Sequence, residues 1–336
     1  MKILFFLLLV LLGYSSFCIT IGILVFNMTS SRKTYTKKSF VDTSGHVKDK
    51  KIMEPLLFAK NNWKKKPIEK VFVKAHVFWL KRLLLKNSMS KKDLAGDLYL
   101  HKDFEKNKTI VILVHGFSDS SSGMAYLAES YFEKGISSLA VNLYAHGESA
   151  GNFSSLGDAS ADGRDILSWF NFLRNRFGSD TKIILHGVSM GGATVIQAAF
   201  TYGIPAILVV SDCASSDFSV QMKNSVRKFF PKGFISALLV NGIIFFASFT
   251  SFFVNGFFFC KNSPVKVLRD SKKADYSVPL LIMHGENDTL VPIIHAEKIY
   301  NSASEPRKFL RVKNAPHIGS WFYDKDRYMT EIFELL

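Results

Sequence analysis

The sequence predicts an α/β fold with a mostly parallel central sheet and helices on both faces. The first indication is a set of short, nearly continuous apolar runs, as expected for strands that are buried on both faces. The second is the alternation of these runs with helical patterns, which favours parallel strands joined by helices. The predicted strands are Thr109–Val114, Ser138–Leu143, Lys182–Leu185, Ala206–Val210, Pro279–Met283 and Lys308–Val312, and the helices between them include Met124–Lys134, Ala161–Phe177, Gly192–Tyr202 and Ile294–Ser302.

The chain begins with a long uncharged segment. Ile3–Met28 holds no charged side chain over 26 positions, more than the ~20 residues that cross a bilayer core. A retained transmembrane helix is favoured over a cleaved signal, because the apolar centre of a signal peptide is shorter. We therefore predict a transmembrane anchor at 1–30, a basic juxtamembrane segment at 31–95 and an α/β domain at 96–336.

Positive charge is concentrated behind the anchor. The 336 residues have a formal net charge of +15, and Ser31–Lys108 contains 19 Lys and 2 Arg but 8 acidic residues. A nucleic-acid-binding domain would carry such charge on its folded module, so no nucleic-acid partner is expected. Attraction to anionic lipids and a solvated basic linker explain the segment equally well. Within it, Val71–Leu85 has the spacing of a short amphipathic helix.

The orientation of the single-pass anchor stays open. Basic residues after the apolar run favour a cytoplasmic domain under the positive-inside rule. A short, positively charged N-terminus is also typical of exported proteins. Of the two, the cytoplasmic side is the expectation.

The segment Leu185–Gly192 contains the pattern Gly-x-Ser-x-Gly between a predicted strand and a predicted helix. This context places Ser189 on a sharp turn with its hydroxyl exposed above the sheet. Gly187 and Gly191 omit the Cβ atoms that would collide as the strand and helix approach. Ser189 is therefore a candidate nucleophile, and a Gly/Ser-rich turn without chemistry is the alternative.

A serine hydroxyl needs a neighbouring base to become a good nucleophile. Of the nine histidines, His317 lies in the loop after the last predicted strand and is the candidate base. Asp288, after the strand Pro279–Met283, is the favoured acid that would fix the His317 tautomer, and Asp212 and Glu286 are its rivals.

Two backbone N–H groups would complete such a site by binding an oxyanion. One belongs to Met190, which follows the nucleophile at the start of a helix. The other is assigned to Phe117, in the His115-Gly116-Phe117 loop after the first predicted parallel strand. Acyl transfer of this kind needs no metal or organic cofactor, and no Cys/His cluster at metal-binding spacing occurs in the sequence.

Together these motifs resemble the α/β-hydrolase superfamily, and most of all bacterial hydrolases of the serine aminopeptidase and monoglyceride-lipase-like group. The resemblance covers about Gly96 to Leu336 and implies an α/β-hydrolase fold with a triad of Ser189, Asp288 and His317. One departure leaves the subfamily open. Where that group often has Asp-x-Arg-Gly-His-Gly-x-Ser, this chain has Asn142 and Tyr144 at the Asp and Arg positions. The matching runs are His115-Gly116-Phe117, Gly187–Gly192, His284–Pro292 and Pro316-His317.

A second uncharged run, Phe234–Cys260, is rich in phenylalanine and falls in the interval that commonly carries the cap of this fold. A hydrophobic helical cap at about 213–275, lining an acyl pocket, is the favoured interpretation. Buried structural helices and a second transmembrane helix are the alternatives, although a spanning helix would place Ser189 and His317 on opposite sides of a membrane. Insertion of the cap into the bilayer surface is compatible with the favoured interpretation.

The sequence thus predicts a membrane-anchored serine hydrolase, carboxylesterase- or lysophospholipase-like, that cleaves apolar acyl or lipid-like esters through an acyl-enzyme. A peptidase or amidase of the same fold and a catalytically silent membrane scaffold are the alternatives. The expected partners are a small-molecule ester or lipid and the bilayer, through residues 3–28 and possibly the cap.

Overall fold

A computed structural model describes residues 2–32, 49–75, 93–156, 158, 161–256, 258 and 263–336. Its strands are β1 Glu69–Lys74, β2 Asp93–Tyr99, β3 Thr109–Val114, β4 Ser137–Val141, β5 Lys182–Val188, β6 Leu208–Asp212, β7 Leu280–Gly285 and β8 Arg307–Val312. They form an eight-stranded sheet in the order β1-β2-β4-β3-β5-β6-β7-β8. The β1–β2 and β2–β4 pairs are antiparallel and the other five pairs are parallel. The predicted mostly parallel sheet is confirmed.

Helices cover both faces of this sheet, as predicted. The strand β3 illustrates why: Ile110 and Ile112 belong to one hydrophobic cluster, while Val111 and Leu113 belong to the other. The helices are α1 Lys2–Ser30, α2 Lys50–Trp63, α3 Phe104–Asn107, α4 Ala125–Phe132, α5 Asp162–Phe177, α6 Met190–Tyr202, α7 Phe218–Arg227, α8 Phe234–Asn255, α9 Pro264–Lys273, α10 Ile294–Ser302, α11 Ser320–Tyr323 and α12 Lys325–Phe333. Residues of α5, α6, α9 and α10 pack in the first cluster, and residues of α2, α4, α11 and α12 pack in the second.

The folded unit begins earlier in the chain than expected. Gly96, the expected boundary, lies in the middle of β2 and pairs with Val71 of β1. The helix α2, also inside the predicted juxtamembrane segment, is fixed to the sheet because the buried indole of Trp63 donates to the Asp97 carboxylate at 2.9 Å. Residues 49–75 and 93–95 are thus part of the α/β unit.

The helix expected over Val71–Leu85 is wrong where the structure describes it. Val71–Lys74 lies in β1, with Val71 buried and Phe72 exposed, the period of two that an edge strand shows. The β-branched side chains of Val71 and Val73 suit this strand. Residues 76–85 lie outside the described residues.

The first helix ends against the α/β unit. Ser31 forms a bridge with Phe153, and the Arg32 guanidinium donates to the carbonyl oxygens of Gly147, Ser149 and Gly151 at 2.7–3.0 Å. The carboxyl end of α1 is therefore held to the loop that follows β4.

Between β6 and β7 the chain forms α7, α8 and α9. Within the described ranges, two helical stretches are long and apolar enough to cross a membrane, Val10–Ser30 in α1 and Phe234–Val254 in α8. A signal sequence or the core helix of a soluble protein can have the same length and composition, so this is weak evidence for membrane spans. The two stretches pack together, with Phe26 of α1 in one hydrophobic cluster with Val240, Ile244 and Ala247 of α8.

Candidate active site

Ser189 lies at the turn between β5 and α6, with φ 56° and ψ −115°. The backbone around it is too crowded for larger residues. A Cβ at Gly191 would lie 2.6 Å from the His115 carbonyl oxygen and would also collide with the Val114 carbonyl, and a Cβ at Gly187 would collide with the Gly191 backbone. The Ser189 N–H donates to the Asp212 carbonyl at 2.8 Å, which extends the pairing of β5 with β6 up to the turn. The two glycines thus permit the strained conformation that presents the hydroxyl.

Three side chains from distant parts of the chain form a hydrogen-bonded line. Ser189 Oγ lies 2.8 Å from His317 Nε2, and His317 Nδ1 lies 2.6 Å from Asp288 Oδ2. Because an ionised carboxylate only accepts, Nδ1 carries the proton and donates to Asp288. This leaves Nε2 to accept from the Ser189 hydroxyl. The arrangement is the one in which imidazole can take a proton from a serine as that serine attacks a substrate.

Asp288 is held in its ionised form. Its other oxygen, Oδ1, accepts from the backbone N–H groups of Leu290 and Val291 at 3.0 and 2.8 Å. Burial acts to raise the pKa of Asp288, but hydrogen bonds from His284, His317 and the Val291 N–H outweigh it, so the net pKa lies well below its ordinary value. A carboxylate with these contacts can orient His317 and stabilise its protonated form.

The two rival acids have different surroundings. The buried carboxylate of Asp212 accepts from the hydroxyls of Ser320 and Tyr328 at 2.7 and 3.1 Å, and burial raises its pKa to about 6. Glu286 is exposed to solvent. Of these three acids, Asp288 is the one that is hydrogen-bonded to His317.

His284 is a neighbour of the site that the sequence reasoning missed. Its Nε2 donates to the Val291 carbonyl at 2.7 Å and also lies 3.2 Å from Asp288 Oδ2. One N–H thus faces two oxygen atoms and helps to fix the loop that carries Asp288. Its place four residues before Asp288, at the end of a buried strand, was the available signal.

The residues predicted for the oxyanion hole lie on either side of Ser189. A Cβ at Gly116 would be 3.3 Å from the Val188 carbonyl and 3.4 Å from Ser189 Cβ, so the loop that contains Phe117 lies directly against the turn. Met190 is the first residue of α6, where helix N–H groups have no partner in the preceding turn. Phe117, Ser189 and His317 border one pocket.

The lining of this pocket is mostly apolar. Leu56, Met124 and Phe322 contribute to it, from three different helical segments. Asp119 is a charged residue of this lining, and its carboxylate pairs with Lys60 at 3.4 Å. The space beside Ser189 is thus suited to an uncharged organic group rather than to a free anion.

A cation is poorly matched to the site. Cys213, Asp288 and His317 are buried and offer ligand atoms within 4.8 Å of one another. Both His317 and Asp288 already use those atoms in their mutual hydrogen bond. Burial also raises the pKa of the Cys213 thiol, which disfavours the thiolate that binds metals.

The turn after β4, where the sequence departs from the related group, is built by hydrogen bonds between its own side chains and the sheet. Asn142 Oδ1 accepts from the Ser121 N–H at 2.8 Å, and the Ser149 hydroxyl donates to the Asn142 carbonyl at 2.7 Å. Asn142 and Ser149 therefore shape this turn. Neither bonds to the Ser189–His317–Asp288 line.

Because three histidines are buried, we expect the folded protein to lose stability in acid. Burial lowers the pKa of His115 to about 4, and that of His146 and His186 to about 3, from an ordinary value of 6.5. The unfolded chain binds protons below pH 6.5 while the folded chain resists them, so the free energy of unfolding should fall as pH drops from 6.5 towards 4. Urea unfolding measured across this range checks it. In His186→Phe, proton uptake on unfolding should decrease by about one.

Part of the chain matches a known protein family. A family model described as serine aminopeptidase, S33, matches residues 105–232. The uncharacterized protein YqkD of Bacillus subtilis is 22% identical over 227 residues, which cover 67% of this chain and 70% of that protein. A stretch of 92 residues is 40% identical to the multifunctional-autoprocessing repeats-in-toxin of Vibrio cholerae, and it covers 27% of this chain and 2% of the toxin.

Solved structures share the fold at low sequence identity. An esterase from Pyrococcus furiosus has a TM-score of 0.58 and 17% identity, with 81% of this chain and 91% of that chain covered. Est1E from Butyrivibrio proteoclasticus, with ferulic acid bound, has a TM-score of 0.53 and 18% identity, with 72% and 94% covered. The strand order, the serine turn between β5 and α6 and these matches lead to one conclusion: the chain has the α/β-hydrolase fold, and its residues 105–232 are similar to the serine aminopeptidase, S33, family.

Proposed function

We propose that this protein is a membrane-anchored serine hydrolase that cleaves carboxylic esters through an acyl-enzyme. The observation that carries the proposal is the line of hydrogen bonds from Ser189 through His317 to Asp288. The line lies at the carboxyl ends of β5, β7 and β8. Open parallel sheets bind their ligands at the carboxyl ends of their strands. The parts of this line have the geometry that nucleophilic catalysis by serine requires.

In the proposed mechanism, Ser189 attacks the ester carbonyl carbon as His317 Nε2 takes the hydroxyl proton. The N–H groups of Phe117 and Met190 stabilise the negative charge on the carbonyl oxygen. His317 then protonates the leaving alcohol, and the acyl group remains on Ser189. Water, activated by His317, attacks this acyl-enzyme and releases the acid. Asp288 keeps Nδ1 protonated and stabilises the imidazolium in both halves.

An apolar acyl group is the proposed substrate feature. Support comes from the apolar lining beside Ser189 and from the similarity in fold to an esterase. The helix α1 is uncharged after Lys2, and Arg32 holds its carboxyl end to the domain, which supports an anchored enzyme that acts on substrates at a membrane. The cytoplasmic face is the proposed side, because basic residues follow α1.

A peptidase or amidase is the second candidate, since the matching family model is described as a serine aminopeptidase. A panel of p-nitrophenyl esters of graded chain length, set beside p-nitroanilides of the same acyl groups, separates the two. We expect turnover of the esters, with kcat/KM rising as the acyl chain lengthens beyond acetyl. Faster cleavage of the p-nitroanilides than of the corresponding esters would contradict the ester assignment while preserving the serine mechanism.

A further inference from the structure

One side of α8 carries a row of exposed apolar side chains. Leu238, Phe245, Phe249 and Phe253 are 48%, 60%, 42% and 50% exposed. Their spacing of seven and four residues places them on one side of the helix, which we term the phenylalanine face, with Asn241 between them. So many large exposed apolar side chains on one side of a helix are unusual for a protein surrounded by water.

The helix α8 runs alongside α1 in the same direction. The Tyr14 hydroxyl donates to the Leu238 carbonyl at 2.9 Å, and further along both helices Gly22 lies against Phe246 and Ala247. A Cβ at Gly22 would be 2.8 Å from Phe246 Cβ and 2.9 Å from the Ala247 nitrogen, so the two backbones approach closely. Whatever surrounds Val10–Ser30 of α1 therefore also surrounds most of α8.

The helix α7 covers a different side of α8. Met222 of α7 shares a hydrophobic cluster with Val240 and Ile244, which lie away from the phenylalanine face. The outer side of α7 exposes Asn224 and Arg227. The unit of α1, α7 and α8 thus has an apolar side and a polar, basic side.

The turn between α7 and α8 exposes both aromatic and basic side chains. Phe229 and Phe234 are 87% and 84% exposed, and Lys228 and Lys232 beside them are exposed as well. Exposed aromatic residues interleaved with lysines are typical of helices that lie in a membrane interface, with rings among acyl chains and cations among anionic head groups.

We propose that the phenylalanine face of α8 contacts the acyl chains of a phospholipid bilayer with anionic head groups. In this arrangement the cap and α1 form one membrane-embedded unit. The chain enters the bilayer along α7 and leaves it along α8, so it does not cross the bilayer at α8. The inference rests on the membrane anchoring in the proposed function and is independent of the chemistry at Ser189.

The same unit reaches the candidate active site. Phe117, which borders the pocket, packs against the hydrophobic cluster formed by α1, α7 and α8. Gln221 of α7 donates to the carbonyl of Leu290, another residue of the pocket lining. The unit of α1, α7 and α8 therefore lies directly beside the pocket that contains Ser189.

Tryptophan fluorescence of the full-length protein in phosphatidylcholine/phosphatidylglycerol vesicles tests the proposal. Phe245→Trp and Phe249→Trp each add a reporter on the phenylalanine face, and wild-type fluorescence is subtracted. Phe72→Trp, on the edge strand β1 and 56% exposed in wild type, is the matched aqueous control. We expect phosphatidylcholine brominated in its acyl chains to quench the two α8 reporters and to leave the Phe72→Trp reporter unchanged, and aqueous iodide to do the reverse.

A fourth reporter separates failure of this inference from failure of the anchoring. Ile19→Trp lies on the exposed side of α1. If brominated lipid quenches Ile19→Trp but neither α8 reporter, the anchor is in the bilayer and the proposed contact of α8 is wrong. Absence of quenching at Ile19→Trp as well would refute the anchoring on which the inference depends. Quenching of the α8 reporters by neither agent would mean that protein covers the face, such as a second copy, and would equally overturn the proposal.

Discussion

Replacing Ser189 with alanine is expected to lower kcat for ester hydrolysis by about 10⁴–10⁶-fold. The change removes the atom that forms the acyl-enzyme, so only binding and the oxyanion-stabilising N–H groups would remain to accelerate the reaction. The free energy of unfolding should change little, because the Ser189 side chain makes one hydrogen bond, to His317. Steady-state hydrolysis of a p-nitrophenyl ester measures the loss.

Ser168→Ala is the matched control for this experiment. Its hydroxyl donates to the Arg164 carbonyl on the surface of α5 and has no contact with the pocket lining. We expect its kcat to equal that of wild type. A Ser189→Ala protein that is folded and retains more than about a hundredth of wild-type kcat would exclude Ser189 as the nucleophile.

Replacing Asp288 with asparagine is expected to lower kcat by about 10⁴-fold. The amide has the same shape, but it can donate a hydrogen bond to His317 Nδ1, and this favours the tautomer with its proton on Nε2. That nitrogen could then no longer accept the Ser189 proton. A purely structural role of Asp288 would instead lower the melting temperature and leave kcat of the folded protein near the wild-type value.

Asp212→Asn tests the choice of Asp288 over its buried rival Asp212. Asp212 is buried and accepts hydrogen bonds from Ser320 and Tyr328. We therefore expect Asp212→Asn to alter the melting temperature while kcat stays within about tenfold of wild type. A larger loss of kcat in Asp212→Asn than in Asp288→Asn would reverse the assignment.

The central strands could be predicted because strands that are buried on both faces have nearly continuous apolar sequences. β3, β5 and β7 are apolar nearly throughout, and their predicted positions differ from the structure by no more than three residues at any end. β2 was missed because its Asp93 and Asp97 break the apolar run. The Asp97 carboxylate accepts from Trp63 and Ser121, partners that are distant in sequence.

The positions of the candidate site residues were also accessible from the sequence. Ser189, Asp288 and His317 each follow a strand of the parallel sheet, and the carboxyl ends of such strands meet at one edge. The position of His284 at the end of β7 marks it as a neighbour of Asp288, but its hydrogen bond to Val291 could not be predicted, because that bond depends on how the loop after β7 folds back. The pairing of α1 with α8 could not be predicted from the sequence either. Two uniformly apolar helices give no periodic pattern that fixes which sides meet.

Covalent labelling with a fluorophosphonate probe tests the central claim most directly. The probe phosphonylates a serine only where a base activates it, and mass spectrometry of the digested protein identifies the modified residue. The account predicts one stable adduct on Ser189 in the wild type and none in His317→Gln. An adduct on a different serine, or no adduct on folded wild-type protein, would contradict it.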